Sequence, residues 1–201
     1  MTDRAHTSDR PLAWLLLISG AVGTVAAFVL LLERIELLKD DSYVPSCSIN
    51  PVLNCGSIMR TDQAALFGFP NPIIGVALFP MVMATGAAVL AGARLARWYW
   101  LGLQAGVLAG LVFVGWLIFQ SLYRIGALCP YCMAVWAVVL PLALYVTRRN
   151  LLTGVLGRAP AASSVTRSLA SWHALVLTVL FLFVIGLALN RFWTYWSTLL
   201  Q

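Results

Sequence analysis

The sequence is short of charge. Charged residues make up 10% of its 201 positions, against about 25% in an ordinary soluble domain. Apolar residues make up 61% and the mean hydropathy is +0.89. This excludes a soluble globular chain and points to a polytopic membrane protein, because the apolar residues fall in several long runs. Histidine is nearly absent: only His6 and His173 occur. None of the acidic residues lies inside an apolar run, which argues against an ion path, since such paths need ionisable groups within the membrane. The formal charge of +6 does not signal nucleic-acid binding. The basic residues are scattered between apolar runs and form no patch interleaved with aromatics.

Five runs have the length a helix needs to cross a bilayer: 12–32, 72–93, 98–123, 129–146 and 172–189. The first is too long for the apolar core of a signal peptide and no small-residue cleavage site follows it, so it reads as a helix. With the N-terminus in the cytoplasm, the inner segments hold Arg4, Arg10, Arg94, Arg97, Arg148, Arg149, Arg158 and Arg167. The outer segments hold Arg34, Lys39, Arg60, Arg124 and Arg191, together with Glu33, Glu36, Asp40, Asp41 and Asp62. The excess of inner basic residues favours this orientation and puts the C-terminus outside. The segment 148–171 reads as a cytoplasmic linker. The outer loop 33–71 is the longest, and within it "TDQAALF" reads as a short helix lying on the interface, capped by Thr61 and ended by Gly68. "FPNP" then turns the chain into the second run.

The four cysteines, Cys47, Cys55, Cys129 and Cys132, all fall on the outer side, where disulfides persist. Four cysteines allow three pairings and the sequence does not choose among them. Cys129 and Cys132 bracket Pro130, which suits the first position of a helix. Cys129 then sits near the N-cap and Cys132 one turn in, on the same face, about 5–6 Å apart at Cβ. A disulfide wants about 3.5–4.5 Å, so a small adjustment closes it. The helix dipole at that position favours thiolate, the reactive form. Cys132 is also deep enough to meet a molecule dissolved in the bilayer. "CSINPVLNC", residues 47–55, reads as a mobile loop able to reach both an outside protein and the CxxC pair. Three other readings compete: a structural disulfide framework, a thiolate metal site, and an inert CxxC. A metal site is poorly served, because two cysteines seven residues apart make a weak second half-site and both histidines fall on the other side.

The stretches "CSINPVLNCGSIMRTDQAALFGFPNPIIG" and "CPYCMAVW", in this order and on these helices, resemble the vitamin K epoxide reductase family in its bacterial form. The resemblance runs from the first span to the fourth. It implies an all-α membrane protein, a single domain over 1–201 with a four-helix bundle around a quinone and a peripheral fifth helix. It implies that Cys132 faces the quinone, that Cys129 is its disulfide partner, that Cys55 attacks Cys129, and that Cys47 exchanges with an outside thiol. Thr61 matches the hydroxyl residue the family keeps after the loop pair, and Asn71 matches the asparagine that donates to a quinone carbonyl. Trp136 stands where animal members have a tyrosine, a departure that an indole N–H can bridge as a donor. Met59, Phe67, Phe69 and Met133 are candidate pocket walls. Some bacterial relatives carry a fused thioredoxin-like domain after the fifth helix. None is expected here, so the implied partner is a separate DsbA-like protein. The expected activity is oxidation of that partner at the expense of menaquinone or ubiquinone, in the cytoplasmic membrane, with the redox site facing outward. The alternatives are reduction of a quinone or its epoxide as the main output, and a non-catalytic binding protein stapled by disulfides.

Overall fold

The first helix outruns its apolar segment. In the computed structural model, which describes residues 9–157 and 171–198, α1 spans Arg10–Lys39, about two turns beyond the run at 12–32. The extension "ERIELLK" consists of good helix formers. It buries Leu37 and Glu33, and near its end Lys39 Nζ pairs with Glu36 Oε1 at 2.7 Å, a cation where the helix dipole favours one. The outer loop therefore rests against a rigid post.

The short α2 follows at Cys55–Met59. It is started by Asn54, whose side chain accepts from Ser57 N at 3.0 Å. The interfacial segment is a single 3₁₀ turn, Asp62–Ala65. Thr61 stands at its N-cap but makes no side-chain cap bond; its hydroxyl donates back to Ile58 O at 2.7 Å instead. Gly68 ends the segment with φ +81°, as the sequence predicts. Leu66, Phe67 and Phe69 stay exposed, which suits a segment lying in the interface.

The remaining spans are α3 (Pro72–Leu90), α4 (Arg97–Phe119), α5 (Pro130–Leu152) and α6 (His173–Arg191), with a final turn, α7, at Trp193–Thr198. All five long helices, α1, α3, α4, α5 and α6, are long and apolar enough to cross a membrane, so the chain is an all-α, multi-pass membrane protein. α4 continues into a π-helical turn, Gln120–Ile125, closed by Gly126 at φ +73°.

α1 packs against α3 and α5, and α4 packs against α5. The α1–α3 contact depends on small residues. A Cβ at Gly20 would meet the backbone of Met83, and one at Gly86 would meet Leu17 N and Ala13 O, the close approach that membrane helices use in place of a hydrophobic driving force. α6 touches α5 and the π turn and buries no residue of its own. The bundle of four and the peripheral fifth helix are thus as expected.

At one end Arg149 Nη2 pairs with Asp9 Oδ2 at 3.1 Å, and its guanidinium lies 3.7 Å from the centre of the Trp100 ring. Arg97 Nε donates to Val155 O at 3.0 Å. The cysteines gather at the opposite end. Arg4, Arg158 and Arg167, which entered the charge reading, and His6, which entered the metal reading, lie outside the described residues.

Candidate thiol relay and membrane cavity

The loop between Cys47 and Cys55 is held by hydrogen bonds of its own. Asn50 Oδ1 accepts from Val52 N at 3.0 Å and Leu53 N at 2.7 Å, while Ile49 N donates to Leu53 O at 2.9 Å. Ser48 Oγ donates to Asn54 Oδ1 at 3.2 Å and accepts from Gly56 N at 3.2 Å. These bonds satisfy the backbone of a segment too short for regular structure. Asn50 and Ser48 thus tie the chain to itself within the spacer that the sequence offers as mobile.

The loop is then tied to the CxxC segment. Leu53 and Leu128 form a parallel bridge. Leu128 N donates to Val52 O at 2.7 Å, and Asn54 N donates to Leu128 O at 2.9 Å. This register carries Cys55 to Cys129, and their sulfurs are 2.9 Å apart. Cys47 and Cys55 are joined as a disulfide, whereas Cys129 and Cys132 are free thiols. The sulfurs of Cys47, Cys55 and Cys129 all lie within 4.8 Å of one another. That cluster has the size of a metal site, but two of its three sulfurs are bonded to each other.

Cys129 is the N-cap of α5, in extended conformation, with Pro130 at the first helical position. Cys132 is one turn in and is half-buried. Cys129 precedes the spanning helix and is buried. Hydrogen bonding with the Cys132 side chain, helped by the Cys132 and Tyr131 backbone, holds its thiol below the ordinary value against the effect of burial. A thiol so placed is a ready nucleophile and leaving group.

Glu33 props the loop from below. This carboxylate is 8% exposed, and it accepts from Tyr43 Oη at 2.9 Å, from Ser46 N at 3.2 Å and from Ser46 Oγ. Its hydrogen bond raises the Tyr43 phenol above its ordinary value. Arg60 Nη2 donates to Asp41 O at 2.6 Å, and Arg34 Nη1 donates to Met59 O. The charged residues of the outer loop, which the sequence offers only as a topology signal, thus hold the cysteine segment to α1. Cys47 itself is 4% exposed. It lies between Val44 and Ile49, which are 71% and 68% exposed.

Below the cysteines a cavity of about 620 Å³ opens between α1, α3, α4 and α5. Cys132, Trp136, Asn71, Thr61 and Met59 line it, while Phe67, Phe69 and Met133 are not among its lining residues. Asn71 Nδ2 donates to Gln63 O at 2.7 Å and Oδ1 accepts from Leu66 N at 3.1 Å. One of its two amide hydrogens is thereby used and one remains. Trp136 is buried in the wall. The four cysteines, Thr61, Asn71 and Trp136 therefore all lie at the cysteine end or on the cavity it adjoins. The geometry missed from sequence is the Leu53–Leu128 bridge, the Glu33 prop, and two further lining residues, Arg34 and Gln120.

The arrangement fits a thiol oxidoreductase: a disulfide touching a free dithiol, with the inner thiol on an apolar cavity. Comparison with individual curated proteins finds no match. A sequence profile of the vitamin K epoxide reductase family, however, matches residues 14–147, a stretch holding all four cysteines and four of the five spans. On that match the chain belongs to the vitamin K epoxide reductase family.

Proposed function

We propose that this protein is a quinone-dependent thiol oxidase that supports disulfide formation outside the cytoplasm, reoxidising a DsbA-like protein with a membrane quinone, menaquinone or ubiquinone. The observation that carries the reading is the continuity of the path. Cys55 Sγ is 2.9 Å from Cys129 Sγ, and Cys132, one turn on, lines a cavity whose walls are overwhelmingly apolar. A family of quinone-linked oxidoreductases supplies the acceptor class.

Electrons enter when a partner thiolate attacks Cys47 and frees Cys55 as thiolate. Cys55 attacks Cys129 of an oxidised Cys129–Cys132 pair, and Cys132 leaves as thiolate. The partner's second thiol then resolves its mixed disulfide and releases Cys47. Cys47 attacks Cys55, which restores the Cys47–Cys55 disulfide and leaves Cys129 and Cys132 reduced. That is the redox state of the structure. The pair closes to a disulfide as its two electrons pass to the quinone, which takes up two protons. The sum is one partner dithiol and one quinone converted to one partner disulfide and one hydroquinone. Each thiol step is an ordinary exchange whose direction follows the potentials.

Asn71 with its remaining amide hydrogen and Trp136 with its indole N–H serve as donors to the headgroup, and Thr61 holds the turn above it. The site faces the extracytoplasmic side of the cytoplasmic membrane, with the N-terminus inside and the C-terminus outside. The test is quinone absorbance of the purified protein supplied with a reduced thioredoxin-fold partner or a small dithiol. Quinone loss that matches dithiol oxidation one for one supports the proposal. A wild type that reduces no quinone with either donor refutes it.

A further inference from the structure

The polar groups of the cavity are mostly committed to the protein. Thr61 Oγ1 donates to Ile58 O, and Ser121 Oγ donates to Ala127 O. Thr85 Oγ1 donates to Met81 O and pairs with Tyr99 Oη. Among the described residues, three buried side-chain polar atoms have no hydrogen-bond partner: Arg34 Nε, Gln120 Oε1 and Trp196 Nε1. Arg34 and Gln120 both line the cavity. One is a donor and the other an acceptor. A buried polar atom left without a partner costs about 1–3 kcal/mol, and native structures leave few. Two of them belong to residues in the wall of one cavity, close to where a polar headgroup would sit.

Both residues lie at the cysteine end. Arg34 sits on the extension of α1 beside Met59, to whose carbonyl its Nη1 is already bonded. Gln120 opens the π turn that leads to Gly126 and the CxxC segment. π turns are rare and occur mostly at functional sites. The terminal torsion of a glutamine is soft, so the Gln120 amide can turn its oxygen toward a ligand without strain.

We infer that Arg34 and Gln120 contact the quinone headgroup, with Gln120 as the redox-state-specific contact. This rests on the reading of the cavity as a quinone site. The oxidised headgroup carries carbonyl oxygens that only accept, so it is held by the Arg34 N–H. The reduced headgroup carries hydroxyls that donate, so it is held by Gln120 Oε1. Two thiols give up two electrons and two protons to the quinone, and the acceptor Gln120 receives a hydrogen bond that exists only after reduction. Arg34 serves both states, because a hydroquinone oxygen also accepts, while Gln120 favours product.

The test uses the full-length protein in detergent with a small dithiol and a short-chain soluble quinone. The KM for quinone and the inhibition constant of the matching hydroquinone are both measured. Gln120→Leu is expected to weaken hydroquinone inhibition about tenfold and to change the quinone KM much less. Arg34→Lys, which keeps the charge but loses Nε, is expected to raise the quinone KM and the hydroquinone inhibition constant together. Equal changes in both constants, or none, in folded Gln120→Leu overturn the inference while leaving the proposed activity standing. A wild type without quinone reduction overturns both.

Discussion

Two polar clusters interrupt this apolar bundle, one at each end, and they differ in how completely they are satisfied. At the end away from the cysteines, Asn150 is fully buried. Its Nδ2 donates to Gln104 Oε1 at 3.0 Å and Trp100 O at 3.2 Å, while Gln104 Nε2 donates to Thr147 Oγ1 at 2.8 Å. Arg149 adds an ion pair to Asp9 and stacks on Trp100. That cluster is closed and joins α4 to α5, with Asp9 bringing in the start of α1. At the cysteine end, polar atoms are left without partners, two thiols are free, and a disulfide touches one of them. A closed network fixes helices in place, and an open one leaves capacity for a ligand or a reaction. The difference assigns stability to one end and chemistry to the other.

The sharpest way to break that assignment is at Cys132. Cys132→Ala is expected to abolish quinone reduction with every donor while leaving the fold intact, as measured by quinone absorbance and thermal unfolding. Full turnover in this variant would move the chemistry away from the cavity. Cys47→Ala comes next. It is expected to block turnover with a protein partner and to retain turnover with a small dithiol, which can reduce the inner pair directly. A variant equally inactive with both donors would mean that Cys47 is structural.

The closed end gives the complementary result. Asn150→Leu leaves Gln104 Oε1 and the Trp100 carbonyl without their partner, and is expected to cost about 1–2 kcal/mol of stability. The KM for quinone should not move. A change in quinone KM without a loss of stability would dissolve the contrast between the ends. An effect confined to the outer loop is expected at Glu33, which is buried but does not touch the reacting sulfurs. Hydrogen bonds to a carboxylate are worth about 1.5–3 kcal/mol each, so Glu33→Ala should release the segment around Tyr43 and Ser46. Amide exchange in that segment should rise, and transfer from Cys55 to Cys129 should slow by a few-fold. Unchanged exchange would mean that the disulfide alone holds the loop.

The burial of Cys47 bears on the partner step. In the proposed cycle, a thiolate from outside would reach its sulfur, which is 4% exposed, only after the loop shifts. Val44 and Ile49 stand exposed on either side of it.

Much of this was legible in the sequence for local reasons. Runs of apolar residues mark helices directly, and Pro130 between two cysteines marks a helix start, so the placement of Cys129 and Cys132 followed. Gly68 ended its turn as its position implied. The features that were not legible are those made by long-range contact. Nothing in "VLN" or "GAL" announces that Leu53 pairs with Leu128, because a single bridge leaves no periodicity. The seven-residue spacer between Cys47 and Cys55 suggested mobility, yet Asn50 and Ser48 hold it through bonds whose partners lie within the loop itself. Glu33, Arg34 and Lys39 read as topology charges, since amphipathic extension of α1 above the apolar run depends on what the loop lays against it. Gln120 carries no motif, and only the count of satisfied atoms around the cavity singles it out.

The central claim is that the two cysteine pairs join through Cys55 and Cys129. The most direct test is peptide mapping of the Cys132→Ala variant after its three cysteines have exchanged and been trapped by alkylation, the attack of Cys129 on Cys55 freeing Cys47 with no oxidant. Without Cys132, Cys129 has no intrahelical partner. A Cys55–Cys129 disulfide with Cys47 left free is the predicted product. A Cys47–Cys129 disulfide, or Cys129 found only as a free thiol, would contradict the relay.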